Sequence, residues 1–209
     1  VLEIYLFVNP LGEHCLEAER SVLQVAEEHH DTVHYQFLPL VNLHTVTDVM
    51  KRNRFDTHDL DMRNKIFKII YAAALDYKAA LFQGKRRGQE FLMQLQDALN
   101  FHHERYTDAL ISDLVSHSGL DTAMFREDRK SQLAVESFEA DQRVACEMQI
   151  QHHPSAVVYN YADPEQDYGV MIEDCHSYEV LKQVCQGNFD AALAAQNPTN
   201  KRKQTIHIL

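Results

Sequence analysis

The sequence predicts an α/β fold: a four-stranded mixed sheet with helices packed on it, interrupted by a large helical insertion. Two observations predict it. Strand-like and helix-like segments follow one another as βαβ at the start of the chain and as ββα near its end. Between them, from about Thr45 to Gln149, the chain reads almost entirely as helix. The flanking strands need partners in one sheet, so the helical block must be an insertion. Only 6 glycines and 5 prolines in 209 residues favour long helices and short connections, and 45% hydrophobic residues suffice for a packed core.

Leu2 to Val8 is rich in β-branched and aromatic residues and reads as a buried strand that Asn9-Pro10 ends. Glu13 to His29 follows a helical rhythm, and Thr32 to Leu38 is a second strand. Two strands joined by one helix form a βαβ unit, expected to be parallel with a right-handed crossover. In the helical block, Ile66, Ile69, Ile70, Ala73 and Ala74 keep three- and four-residue spacing, as do Phe91, Leu92, Leu95 and Leu99. Further helices are expected at Thr107 to Ser116, Asp121 to Phe125 and Ser131 to about Gln149, with Gly84, Gly88 and Gly119 as breaks. Strand character returns at Ser155 to Tyr161 and Tyr168 to Ile172, and the turn-like ADPEQD between them predicts an antiparallel hairpin. Tyr178 to Ala195 reads as one final amphipathic helix. The remaining tail holds a basic patch, Lys201-Arg202-Lys203, before a short apolar end that is either irregular or an added edge strand.

The net charge of -11 argues against a sequence-independent grip on nucleic acid and against docking on an anionic membrane. The longest apolar run, Ile69 to Leu75, falls far short of the ~20 residues of a membrane span. The opening VLEIYLFVNP lacks the basic region and cleavage site of a signal peptide, so a cytoplasmic location is expected, although a removed presequence stays open. Cysteines 15, 146, 175 and 185 make no C-x-x-C pair and no zinc spacing, as suits thiols in a reducing compartment. Three histidine pairs, His29-His30, His102-His103 and His152-His153, are adjacent, and adjacent side chains diverge on a helix or strand. No metal and no cofactor is expected.

Two local motifs carry a family resemblance. The first is strand, Asn9-Pro10-Leu11-Gly12-Glu13-His14-Cys15, helix; the second is His152-His153-Pro154-Ser155 leading into a strand. With the order of elements, they resemble the thioredoxin fold in its DsbA-like form, which carries a helical insertion before its last hairpin. That resemblance assigns residues 1–44 and 150–196 to a thioredoxin-like domain, 45–149 to an inserted helical domain and 197–209 to a C-terminal tail. It places Gly12 where the first cysteine of P-x-C-x-x-C would stand and Cys15 where the second would stand, half-buried about one turn into the helix. It also implies a cis bond at Pro154. The wording EIYLFVNPLGEHCLEAE is similar to a Firmicutes subfamily whose members deliver the transcription regulator Spx to the ClpXP protease. Members there often keep C-P-x-C, from which this chain departs at Gly12 and Glu13.

Thiol–disulfide exchange needs one thiolate to attack and a second thiol to resolve the mixed disulfide. Glycine at 12 cannot attack, and the charge of Glu13 disfavours a thiolate nearby. Cys15 is then either a small buried hydrophobe or a lone regulatory thiol. The resemblance implies a protein-binding adaptor, without redox activity, that presents an Spx-like regulator to ClpXP in a stress response. Its binding residues would be Gly12, Glu13, His14 and Cys15 at the corner, with His153 and Pro154 beside them. The alternative is an enzyme of the same superfamily: a thiol–disulfide oxidoreductase or isomerase using Cys15, or a glutathione-transferase-like enzyme with Ser155 as its only nearby hydroxyl. Nothing in the sequence sets the oligomeric state or the role of the basic tail.

Overall fold

The structure is a computed structural model and describes residues 1–29, 32–161, 168–195 and 204–208. The basic patch 201–203, His30 and the ADPEQD turn lie outside the described residues. The chain divides into two compact units: residues 1–8, 14–38 and 152–209 form a sheet unit, and residues 9–13 and 39–151 form a helical unit.

The sheet unit comprises β1 (Leu2–Val8), α1 (Cys15–Glu28), β2 (Val33–Pro39, whose last residue belongs to the helical unit), β3 (Ser155–Asn160) and β4 (Gly169–Glu173). It ends in α8 (Tyr178–Cys185), α9 (Phe189–Ala194) and β5 (Thr205–Ile208). The strands form one mixed sheet in the order β2-β1-β3-β4-β5. β1 pairs antiparallel with β3, placing Leu2 opposite Asn160 and Phe7 opposite Ser155. β3 pairs antiparallel with β4, as the turn-like segment between them predicts. Ile4, Leu6, Phe7 and Val8 are buried in β1, as are Ala156, Val157 and Val158 in β3. Consecutive buried residues mark strands covered on both faces. Helix α1 buries Leu16, Ala18, Val22 and Val25 and packs on α8, which buries Val180, Leu181 and Val184.

Three expectations are corrected here. The sheet has five strands, because Thr205–Ile208 adds an antiparallel edge strand beside β4, with Ile206 opposite Ile172. Four residues give too little alternation to separate a strand from an irregular tail. The final helix is two helices, broken where Gly187 takes φ 75°, a conformation that costs glycine little. Finally, Gly88 breaks nothing, as follows from the packing of the helical unit.

That unit comprises α2 (Leu43–Arg52), α3 (Leu60–Phe82), α4 (Lys85–Asn100), α5 (Asp108–His117), α6 (Thr122–Asp128) and α7 (Gln132–Glu147). Five of these begin at a side-chain cap. Asn42, Asp59, Thr107, Asp121 and Ser131 each accept a bond from the backbone N–H three residues on, and Asn42 with Thr45 completes a capping box. Gly84, at φ 123°, turns the chain between α3 and α4. Gly88 lies inside α4, where a Cβ would come within 2.8–2.9 Å of Leu81, so it permits close approach of the two helices. Around this pair Ala73, Ala80, Phe91, Leu95, Ile111, Val115 and Phe125 form one apolar cluster. A second cluster joins Val46, Val49 and Met50 of α2 to Ile66 and Ile70 of α3.

Two ionic contacts are built into this unit. Lys78 of α3 and Asp141 of α7 pair at 2.6 Å, both nearly inaccessible to solvent. Asp76 of α3, also buried, accepts from Tyr106 Oη at 2.6 Å and from Arg129 Nε at 2.7 Å and Nη2 at 3.1 Å.

Candidate functional site

In the sheet unit the site is built where β1 has ended and α1 begins, and where β3 is entered. Helix α1 starts at Cys15, with His14 as its N-cap. Cys15 was expected one turn into the helix and half-buried; it is instead the first helical residue and is fully buried. His14 has φ -96° and ψ -4° and makes no side-chain cap bond, so it leads directly into the helix without a conventional cap residue.

The chain enters β3 through His153-Pro154, whose peptide bond is cis, as the resemblance implies. Cys15 Sγ lies 3.5 Å from His153 Nδ1, joining the two sequence motifs. With Nδ1 bare, the thiol donates to the imidazole; with Nδ1 protonated, the ring donates to sulfur. His153 is half-buried, whereas Cys15 and Pro154 are buried. The Pro154 carbonyl accepts from the backbone N–H of Cys175 at 2.9 Å, tying the loop to the end of β4. Ser155 is buried, and its hydroxyl donates to the His152 carbonyl at 2.9 Å. That hydroxyl, the one the glutathione-transferase alternative needs, is committed to a local bond.

Gly12 and Glu13 belong to the helical unit. The Gly12 N–H donates to the Asn9 carbonyl at 2.7 Å, and the Leu11 N–H donates to Asn9 Oδ1 at 2.9 Å. Asn9 before proline is a turn signal legible in the sequence. Arg52 Nη2 donates to the Leu11 carbonyl at 2.7 Å and Asn100 Nδ2 to the Gly12 carbonyl at 3.3 Å. These two pins come from 41 and 88 residues away, and no local pattern announces them. Gly12 is buried and Glu13 exposed.

None of the four cysteines is in a disulfide. Burial pushes the Cys185 thiol up to about 12 and the Cys175 thiol further still, with Cys185 and Asp174 adding to the latter. Both stay protonated and chemically quiet at neutral pH. Cys146, on α7, is the exposed one. Among the described residues, no three His, Cys, Asp or Glu side chains are grouped to hold a metal ion. Among them, too, no helix is long and apolar enough to cross a membrane.

A βαβ start, a helical insertion and a closing ββα, with a cis-proline next to the histidine that contacts the first residue of a helix, Cys15, define a DsbA-like thioredoxin-fold protein. The chain belongs to the thioredoxin family, whose model matches residues 5–183. It is similar to the ClpXP adapter protein SpxH of Staphylococcus saprophyticus, 26% identical over 183 residues, covering 88% of this chain and 64% of that protein. It is likewise similar to the ClpXP adapter protein SpxH of Bacillus subtilis, 24% identical over 199 residues, covering 88% and 66%. The chain thus spans just under two thirds of the length of these curated relatives. Among solved structures, oxidised BdbD from Bacillus subtilis superposes with a TM-score of 0.62 at 14% identity, covering 90% of this chain and 88% of that one. DsbA from Xylella fastidiosa superposes with a TM-score of 0.55 at 13% identity, covering 75% and 72%. These two likenesses speak to the fold alone.

Proposed function

We propose that this chain is a cytoplasmic protein-binding adaptor without redox activity, which holds an Spx-type transcription regulator and presents it to the ClpXP protease under stress. The observation that carries this reading is the likeness to ClpXP adapter proteins across 88% of the chain. The chemistry of the corner supports it: glycine replaces the attacking thiol at position 12, and the remaining sulfur of Cys15 is buried. A thiol that solvent cannot reach is a poor exchange catalyst, whereas peptide binding requires shape and hydrogen-bonding groups rather than sulfur. On this reading His14, Cys15, His153 and Pro154 contribute to partner binding in the sheet unit. Gly12 and Glu13 are proposed as binding residues on their place in the motif. The net charge of -11 suits a partner with a basic surface, which electrostatic attraction would bring in faster.

A second reading rests on the 3.5 Å contact between Cys15 and His153. An imidazole next to a thiol can withdraw its proton, so a single-thiol chemistry at Cys15 is the competing proposal. One experiment separates the two. ClpXP degradation of purified Spx is followed in reducing buffer with and without this protein, and insulin reduction is measured in parallel. Strong acceleration of degradation without insulin reduction supports the adaptor. Turnover of insulin that Cys15→Ala abolishes, with no effect on ClpXP, supports the enzyme.

A further inference from the structure

The helical unit contains a cavity of about 530 Å³, within the ~300–1,000 Å³ typical of sites for small organic ligands. Its apolar lining comes from Ala72 and Leu75 of α3, Ile111 and Val115 of α5, and Phe125 of α6. Ile111, Val115 and Phe125 are buried members of the unit's main core, and Phe125 packs on Phe91 with ring centroids 5.5 Å apart. The floor is therefore held in place by the core itself.

The charged residues lining the cavity are unequal. Arg129 is fully engaged: it donates twice to Asp76, once to Asp108 at 3.1 Å, and lies over the Phe125 ring. Arg126 and Lys130 also line the cavity and are exposed, yet among the described residues neither makes an ion pair or side-chain hydrogen bond. Arg126 stands in the last turn of α6 and Lys130 in the turn that follows it, and both line the same cavity, so their heads can reach one group there. Three cations against two carboxylates leave a single positive charge around an apolar hollow, on a protein whose net charge is -11.

We propose that this cavity binds a small amphipathic monoanion, with an apolar chain or ring on Leu75, Ile111, Val115 and Phe125 and a carboxylate held by Arg126 and Lys130. The tail gains from leaving water, and the head meets two charge-assisted donors. A neutral ligand of the same shape forgoes the second contribution. A dianionic head meets too little positive charge, because Arg129 is already committed to Asp76 and Asp108.

The test is calorimetric titration of the full chain with decanoate, decanol and decyltrimethylammonium at pH 7.5, with melting curves to confirm that each variant is folded. Decanoate is expected to bind one to one, at least tenfold tighter than decanol, with the cation not binding. Arg126→Gln combined with Lys130→Gln, both exposed positions, is expected to weaken decanoate at least tenfold and leave decanol unchanged. Ser112→Trp, which introduces bulk into the cavity lining, is expected to abolish binding of both. No decanoate binding at millimolar concentration, equal affinity for decanoate and decanol, or wild-type affinity in the double variant would each overturn the proposal.

Discussion

Cys15 Sγ and His153 Nδ1 lie 3.5 Å apart although 138 residues separate them in sequence. The contact joins the start of α1 to the entrance of β3. It keeps a cysteine and a histidine adjacent, with glycine at position 12. The sulfur side of this pair, Cys15, is buried, and its partner His153 is half-buried.

Thiol labelling checks that statement. Cys146 is exposed, while Cys15, Cys175 and Cys185 are buried. The native protein is expected to show one fast-reacting thiol towards Ellman's reagent and three that react only on unfolding. Cys146→Ser should remove the fast phase. A second fast thiol that disappears in Cys15→Ala would show the sulfur to be accessible and favour the enzymatic reading.

If the adaptor reading is right, the imidazole matters more than the sulfur. Cys15→Ala is expected to leave acceleration of Spx degradation within about twofold, while His153→Ala weakens Spx binding about tenfold, or ~1.4 kcal/mol. Wild-type Spx affinity in His153→Ala, measured calorimetrically, would move the docking surface elsewhere.

The buried pair Lys78–Asp141 gives a stability test. Lys78→Met leaves the Asp141 carboxylate without its counter-charge and is expected to cost about 3–5 kcal/mol in urea unfolding. Adding Asp141→Leu to the same chain should restore most of that loss, since an apolar pair of similar volume replaces the ions. A double variant no more stable than the single one would contradict this account.

Gly88 offers a test of opposite sense to ordinary helix propensity. Alanine in place of an exposed helical glycine stabilises by roughly 1 kcal/mol. At position 88 the new Cβ meets Leu81 backbone atoms at 2.9 Å, so Gly88→Ala is expected to destabilise by about 1–3 kcal/mol. A rise in the urea midpoint would show that α3 and α4 can move apart at little cost.

Stability should also depend on pH through Asp76. Burial raises its carboxyl from 3.8 to about 6, even though Tyr106 and Arg129 pull the other way. The folded chain therefore binds this proton more tightly than the unfolded one. The resulting stabilisation is complete below about pH 4 and is lost as pH rises through about 6. Wild type is expected to gain stability relative to Asp76→Asn when pH falls from 7 to 4.5, measured by urea unfolding. A constant difference across that range would show that the proton affinity of Asp76 is the same folded and unfolded.

The sequence made β1, β2 and the β3–β4 hairpin legible because each carries dense β-branched and aromatic residues between turn signals. In the insertion, α3 and α4 were legible through apolar spacing alone. The bounds read for α5, α6 and α7 fall within a few residues of those found, and α2 was not separated from the rest of the helical block. The errors have local causes. Glycine is ambiguous: Gly84 turns the chain, while Gly88 sits inside a helix for reasons set by Leu81 on its neighbour. Gly187 has the positive φ that splits the last helix, but the flanking apolar rhythm runs through it. β5 is too short for alternation to register. At the site, the two motifs could be read, but the burial of Cys15 and the hold of Arg52 and Asn100 on the Leu11-Gly12 turn depend on distant residues.

The placement of β1 beside β3 has a consequence for how the protein comes into being. Phe7 is made before the inserted helices, yet its partner Ser155 emerges only after them. Loop closure over such a span is entropically slow, whereas helices form from neighbours. On the ribosome the insertion can collapse while the edge of β1 that pairs with β3 is still unpaired. The β3-facing edge of β1 thus stays without its partner until the whole insertion has been made.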